Sequence, residues 1–208
     1  MSTTPMAPPR KLNRRGVAAR EKLLSTALEM LGTGKPEAVS INLVAREAGL
    51  SWGSVQNLFG DSDGFWSAVV ERITENKDAL WPPPVSDTIA GRIAEVSELY
   101  RRVLVSPYAV AIDTIRLGLP RPRPVLSLTH PLTAAALTRL EADWAQSFLD
   151  FFEDVRDQAA DQQRFMEVAW ALPISLHGLA AHETNGASAD ADAVYRTMVA
   201  SMTAYLEG

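Results

Sequence analysis

Residues 40–59, SINLVAREAGLSWGSVQNLF, constrain this chain more than any other stretch. Leu43, Val44 and Ala48 form an apolar stripe at helical spacing, opened by Ser40 and stopped by Gly49. Leu50 plugs the corner, and Ser51 restarts a helix as an N-cap, accepting backbone amides that otherwise go unmet. The second helix turns Val55, Leu58 and Phe59 inward and leaves Trp52, Ser54, Gln56 and Asn57 outward. Cap, stop, corner and spacing agree on one object, a helix-turn-helix. The second helix of such a pair can lie in a major groove of DNA.

The flanking pattern is helical throughout. Leu23, Leu24, Ala27, Leu28 and Leu31 give an amphipathic helix before the motif, broken by GTGKPE. Phe65, Trp66, Val69, Val70 and Ile73 mark a fourth helix over 63–80, ended by WPPPV. Further helices are expected near 87–105, 107–118, 131–159, 162–183 and 189–206, with LPRPRP at 119–124 extended. No strand alternation and no repeat is visible. The expected fold is all-α with about nine helices: a three-helix head on a larger helical body. The boundaries read as a flexible basic arm at 1–15, a helix-turn-helix domain at 16–62, and an effector-binding and dimerisation domain at 63–208.

Charge divides along the same line. Residues 1–60 hold eight Lys/Arg against four Asp/Glu, and residues 61–208 twelve against twenty-one, a head of +4 on a body of −9. A local positive end suits contact with phosphate, which depends on nearby cations and not on total charge. No Cys is present, which excludes disulfides and thiolate metal sites. No run of 18 apolar residues occurs and the N-terminus is polar and Pro-rich, so a cytoplasmic, non-membrane protein is expected.

With the head laid out, residues 20–66 resemble the DNA-binding domain of TetR-family transcriptional regulators. Arg20, Leu23, Leu24, Ala27, Leu28, Ser40, Val44, Ala45, Ala48, Gly49, Leu50, Ser51, Gly53, Phe59 and Phe65 carry the likeness. The resemblance implies a homodimeric repressor that binds a pseudo-palindromic operator and is released by a small molecule held in the body. The chain departs from the family at Trp52, where a basic residue is common, at Gln56, where Tyr is common, and at Leu58, where His or Tyr is common. Asp61-Ser62-Asp63 replaces the usual Ser-Lys-Glu, removing a phosphate-contacting Lys at position 62.

Gln56 and Asn57 are the candidates for base reading, since a carboxamide pairs bidentately with the N6/N7 edge of adenine; otherwise they only face solvent. Trp52 packs either on a sugar or thymine methyl, or back on the fourth helix. Ser40, Ser51 and Ser54 can donate to phosphates in addition to capping, Gly53 allows close approach, and Arg14 and Arg15, with Arg10 and Lys11, supply charge. In the body, Tyr100, Tyr108, Trp144, Phe148, Phe151, Phe152 and Trp170 are expected to line an apolar or aromatic ligand pocket, with Asp113, Arg116 and His177 orienting the ligand. Pro173 is expected to kink its helix. The dimer is expected through 162–183, with Phe165, Val168, Ala169, Leu172, Leu176 and Leu179, and through 189–206, with Val194, Met198, Met202 and Tyr205.

Catalysis is not expected. The three His match no metal spacing, no Gly-rich phosphate loop occurs, and Glu153/Asp154 read as an exposed helix face. No metal or cofactor is implied. The competing reading is a helical dimer that has lost DNA binding and serves as a ligand-binding or protein-interaction module.

Overall fold

The structure, a computed structural model, describes residues 13–75, 80–184, 186 and 190–208. Among these the fold is all-α with no strand. Ten α-helices run in order: α1 Arg14–Leu31, α2 Ile41–Glu47, α3 Trp52–Phe59, α4 Ser62–Thr74, α5 Ile89–Leu104, α6 Pro107–Gly118, α7 Arg123–Thr129, α8 Pro131–Phe151, α9 Gln162–Thr184 and α10 Ala191–Glu207. Short 3-10 turns lie at Pro36–Val39 and Arg156–Gln158.

Local chemistry explains most boundaries. Asn13, Ser40, Ser51, Asp61, Thr88, Ser106 and Asp190 cap seven helices by accepting a backbone N–H from three residues on. Gly49, at φ 67°, ends α2. Its N–H donates to Arg46 O at 2.9 Å and that of Leu50 to Ala45 O at 2.8 Å, the paired bonds of a Schellman stop.

Four expectations needed correction. Arg14 and Arg15 belong to the first turn of α1, capped by Asn13, and not to an arm; Arg10 and Lys11 lie outside the described residues. The extended 119–124 segment gives way at Arg123 to α7, because Pro124 sits in a first turn, where its missing N–H costs nothing. Helix 131–159 stops at Phe151, and the turn that follows drives Phe152 and Val155 into the core. Glu153 and Asp154 therefore leave the helix face, and Asp154 takes an ion pair at 2.7 Å from buried Arg92 that holds its carboxyl below the usual range. The fourth helix ends at Thr74, and 76–79 lie outside the described residues.

Two hydrophobic cores form, and α8 runs through both. The first joins Leu23, Leu24, Val44, Val55, Phe65 and Val69 of α1–α4 to Ile112 and Ile115 of α6 and Leu137 and Leu140 of α8. Phe65 is fully buried, edge-on to Phe59 at 5.1 Å, which stabilises the head by about 1.5–3 kcal/mol. The second gathers Ile93, Val96, Phe148, Phe152, Phe165, Leu172 and Leu206 from α5, α8, α9 and α10. The head thus shares its core with α6 and α8 of the body.

A polar joint of three hydrogen bonds to one carboxylate lies between these halves. Asp63, in the first turn of α4, is only 7% exposed. Its carboxylate accepts the Leu132 N–H at 2.9 Å, the Thr133 N–H at 2.8 Å and the Thr133 hydroxyl at 2.7 Å. These amides open α8, whose own N-cap position, His130, makes no side-chain cap bond. A carboxylate of α4, the helix packed against the helix-turn-helix, therefore caps α8, satisfying its free N–H groups and its dipole together.

Candidate nucleic-acid interface and ligand pocket

The outward face of α3 is polar and unencumbered. Val55 is buried and Leu58 and Phe59 half-buried, which fixes the opposite side of this two-turn helix outward. Gln56 and Asn57 are exposed there, and neither side chain has a hydrogen-bond partner among the described residues. Trp52 is 37% exposed at the helix start. Ser51 Oγ accepts the Ser54 N–H at 3.3 Å and lies 3.3 Å from Ser54 Oγ; Ser40 Oγ accepts the Leu43 N–H at 3.4 Å.

Two glycines separate what the fold needs from what it does not. A Cβ at Gly64 would fall 2.1 Å from Phe59 O, so α4 can start where it does only with glycine. A Cβ at Gly53 would meet only Ser51 Oγ, at 3.5 Å, an ordinary contact. The fold does not require Gly53.

Cations sit on α1 and α2, two of the helices packed against α3. Arg14 and Arg15 are exposed at the start of α1, and Arg46 is exposed at the end of α2 beside Glu47 at 3.4 Å. Lys22, not singled out from the sequence, carries its ammonium close to the turn, 3.7 Å from where a Gly49 Cβ would stand. Its place next to Leu23 and Leu24, on the outer edge of the buried stripe, was the signal for it.

In the body, α4, α5, α6, α8 and α9 line a half-open apolar chamber of about 190 Å³. It brings together Tyr100, Tyr108, Asp113, Arg116, Trp144 and His177, six of the expected pocket residues. Val103, Ala109, Ile112 and Leu140 also line it and carried no distinguishing signal, since aliphatic residues in a pocket and in a core look alike in sequence; Glu141 lines it as well. Burial raises the Tyr100 phenol well above its ordinary range, so it remains a neutral hydroxyl. Polar groups gather at one end. Arg116 donates to Glu141 at 2.9 Å, and His177 lies 3.8 Å from Asp113.

Four expected lining residues are elsewhere. Phe148 stacks on Phe152 at 4.8 Å inside the second core. Phe151 belongs to the same core, on the side of a shallow groove beneath Pro82 and Pro83. Phe152 is likewise fully buried core. Trp170 is 64% exposed on the outside of α9, about 200° around the helix from buried Leu172.

The same geometry revises the expected contact face of α9. Phe165, Val168, Leu172, Leu176 and Leu179 are buried within the subunit. Outward instead are Trp170, Ile174 at 73% exposure, Gly178 and Ala181. On α10, Val194 and Tyr205 are exposed while Met198 and Met202 are half-buried against the second core. Ser175, Gly178, Leu179, His182, Val194 and Met198 form a shallow furrow between the two helices. Pro173 sits inside the continuous α9.

No described helix is long and apolar enough to cross a membrane. No protein-family model, curated protein or solved structure matches this chain.

Proposed function

We propose that this chain is a non-catalytic, ligand-responsive transcriptional regulator of the TetR type, a homodimeric repressor that lays α3 in the major groove of a pseudo-palindromic operator. The observation that carries the reading is the free, exposed amide pair of Gln56 and Asn57, on a helix fixed at its start by Ser51 and by buried Val55. A rigid helix with unspent bidentate donors and acceptors is what base recognition requires. Arg14, Arg15, Lys22 and Arg46 supply phosphate contacts around it. Gly53, which the fold does not need, leaves room for the DNA backbone.

The body supports control by a ligand. Helices α6 and α8 line the chamber, and the same two helices pack against the head, α6 on α1 and α8 on α4. An effector that binds two arrangements of α6 and α8 unequally shifts the heads by its difference in affinity. The exposed apolar faces of α9 and α10 supply the dimer contact. Trp170 and Ile174 are large exposed apolar groups that a second copy would cover.

The competing reading, a ligand-binding or protein-interaction dimer without specific DNA binding, draws on Asp61-Ser62-Asp63. Exposed Asp61 caps α4, and Ser62 stands where a Lys would meet phosphate. Titration with DNA from upstream of the protein's own reading frame separates the two. Gln56→Ala and Asn57→Ala should each lower discrimination between operator and unrelated DNA by about 1–3 kcal/mol. Arg14→Ala should weaken all sequences alike and reduce the salt slope by about one. Parent-like binding by all three variants, or binding that ignores salt, favours the competing reading.

A further inference from the structure

A wider groove of about 540 Å³ adjoins the chamber, lying against α6, α7 and α8, and Asp113, Arg116 and Glu141 line both spaces. The polar end of the chamber is therefore the inner wall of the groove. Two guanidinium groups converge there on one carboxylate: Arg116 on Glu141 at 2.9 Å and Arg123 on the other Glu141 oxygen at 2.5 Å. Arg121 also lines the groove and has no ion pair among the described residues. The remaining acid, Asp113, is nearest His177. Three guanidinium groups against two carboxylates leave one positive charge uncompensated, in a body whose sequence is strongly acidic.

We propose that groove and chamber form one two-part site for a single-ring aromatic carboxylate. The ring enters the chamber among Tyr100, Tyr108, Ile112 and Trp144, and the carboxylate meets Arg116 and Arg123 at the junction. Size sets the ring count, since an apolar cavity of about 150 Å³ takes up benzene and this chamber measures about 190 Å³. Charge sets the head group. A planar monoanion neutralises the cluster and matches the guanidinium fork, and each guanidinium has donors enough to serve the ligand and Glu141 together. A cationic head would add to three arginines and gain only Asp113. The guanidinium groups that take the anion also hold Glu141 of α8, the helix whose first turn is held by Asp63 of α4.

This inference rests on the regulator reading for its role as an effector site, and its test is run without DNA so that the two can fail separately. Calorimetric titration of the full chain uses phenylacetate and 3-phenylpropanoate, the neutral isostere phenylacetamide, and the cation phenethylamine. A carboxylate should bind about tenfold or more tighter than the amide, the strength of one charge-assisted pair. Arg116→Gln and Arg123→Gln should each bring the carboxylate down to about the affinity of the amide. Ala109→Trp should abolish both by filling the chamber. Thermal melts of each variant identify any that fails to fold, and the two arginine variants serve as independent checks. Equal binding of acid and amide, preference for the amine, absence of binding, or insensitivity to both arginine variants overturns the proposal. Carboxylate binding by a chain that never engages DNA would preserve this site and discard the regulator reading.

Discussion

Asp63→Ala should lower the stability of the chain by about 2–5 kcal/mol, which for a chain of this length is a fall in Tm of roughly 5–15 °C. The loss comes from donors rather than from the carboxylate itself. The N–H groups of Leu132 and Thr133 and the Thr133 hydroxyl all point at Asp63, and Ala leaves the buried Thr133 N–H without an acceptor and removes the acceptor of the part-buried Leu132 N–H. The hydroxyl can fall back on Asp63 O at 3.1 Å, and this contact survives the substitution. Asp63→Asn should lie between, because one carboxamide oxygen still accepts while its NH₂ faces a second N–H donor. Circular-dichroism melts of the three proteins give the order directly. A loss under about 1 kcal/mol in Asp63→Ala, below the usual cost of one unsatisfied buried donor, would show that the joint is dispensable.

Gly178→Arg should convert a dimer into monomers without unfolding either subunit. Within one subunit a Cβ at Gly178 meets nothing within 4 Å, so a long side chain there has free space. In the proposed dimer the same position lies at the centre of the furrow between α9 and α10, beside Val194 and Met198, where an unpaired guanidinium would be desolvated. Sedimentation should report the change in mass. Operator affinity should fall by about 10²–10⁴-fold, because two linked heads become two separate binding events. A parent protein that sediments as a monomer, or a variant that stays dimeric at micromolar concentration, removes this interface from the account.

What the sequence disclosed was set by short-range chemistry. Ser40, Gly49 and Ser51 act on backbone groups within five residues, so the cap, the stop and the restart of the helix pair could be read along the chain. The inward face of α3 follows from Val55, Leu58 and Phe59 for the same reason. The spacing of Trp170 from Leu172 already placed it on the far side of α9, and reading it by residue type alone led to the pocket assignment that the structure overturns. Pro124 misled in a similar way. Its position in a first turn makes it a helix opener, whereas composition alone makes LPRPRP an extended run.

Other features could not have been read because their partners are distant. Asp63 and Thr133 are seventy residues apart, and nothing around either predicts that a carboxylate from one helix caps another. Glu141 is one charged residue among several on α8, and it stands out only when Arg116 and Arg123 are seen to meet on it. Phe148 and Phe151 share the aromatic character of Trp144 but point into the second core, a division set by how α5, α9 and α10 close around the end of α8.

The central claim is that two copies of α3, carried by one dimer, read two half-sites on duplex DNA. Selection of binding sequences from a random pool of duplexes by the full chain tests it most directly. The account predicts enrichment of an inverted repeat whose half-site centres are about 34–36 Å apart, or a whole multiple of that, and loss of the preferred bases when Gln56 and Asn57 are replaced by Ala. Recovery of no common sequence, or of an unrepeated site that Gln56→Ala and Asn57→Ala leave unchanged, would contradict it.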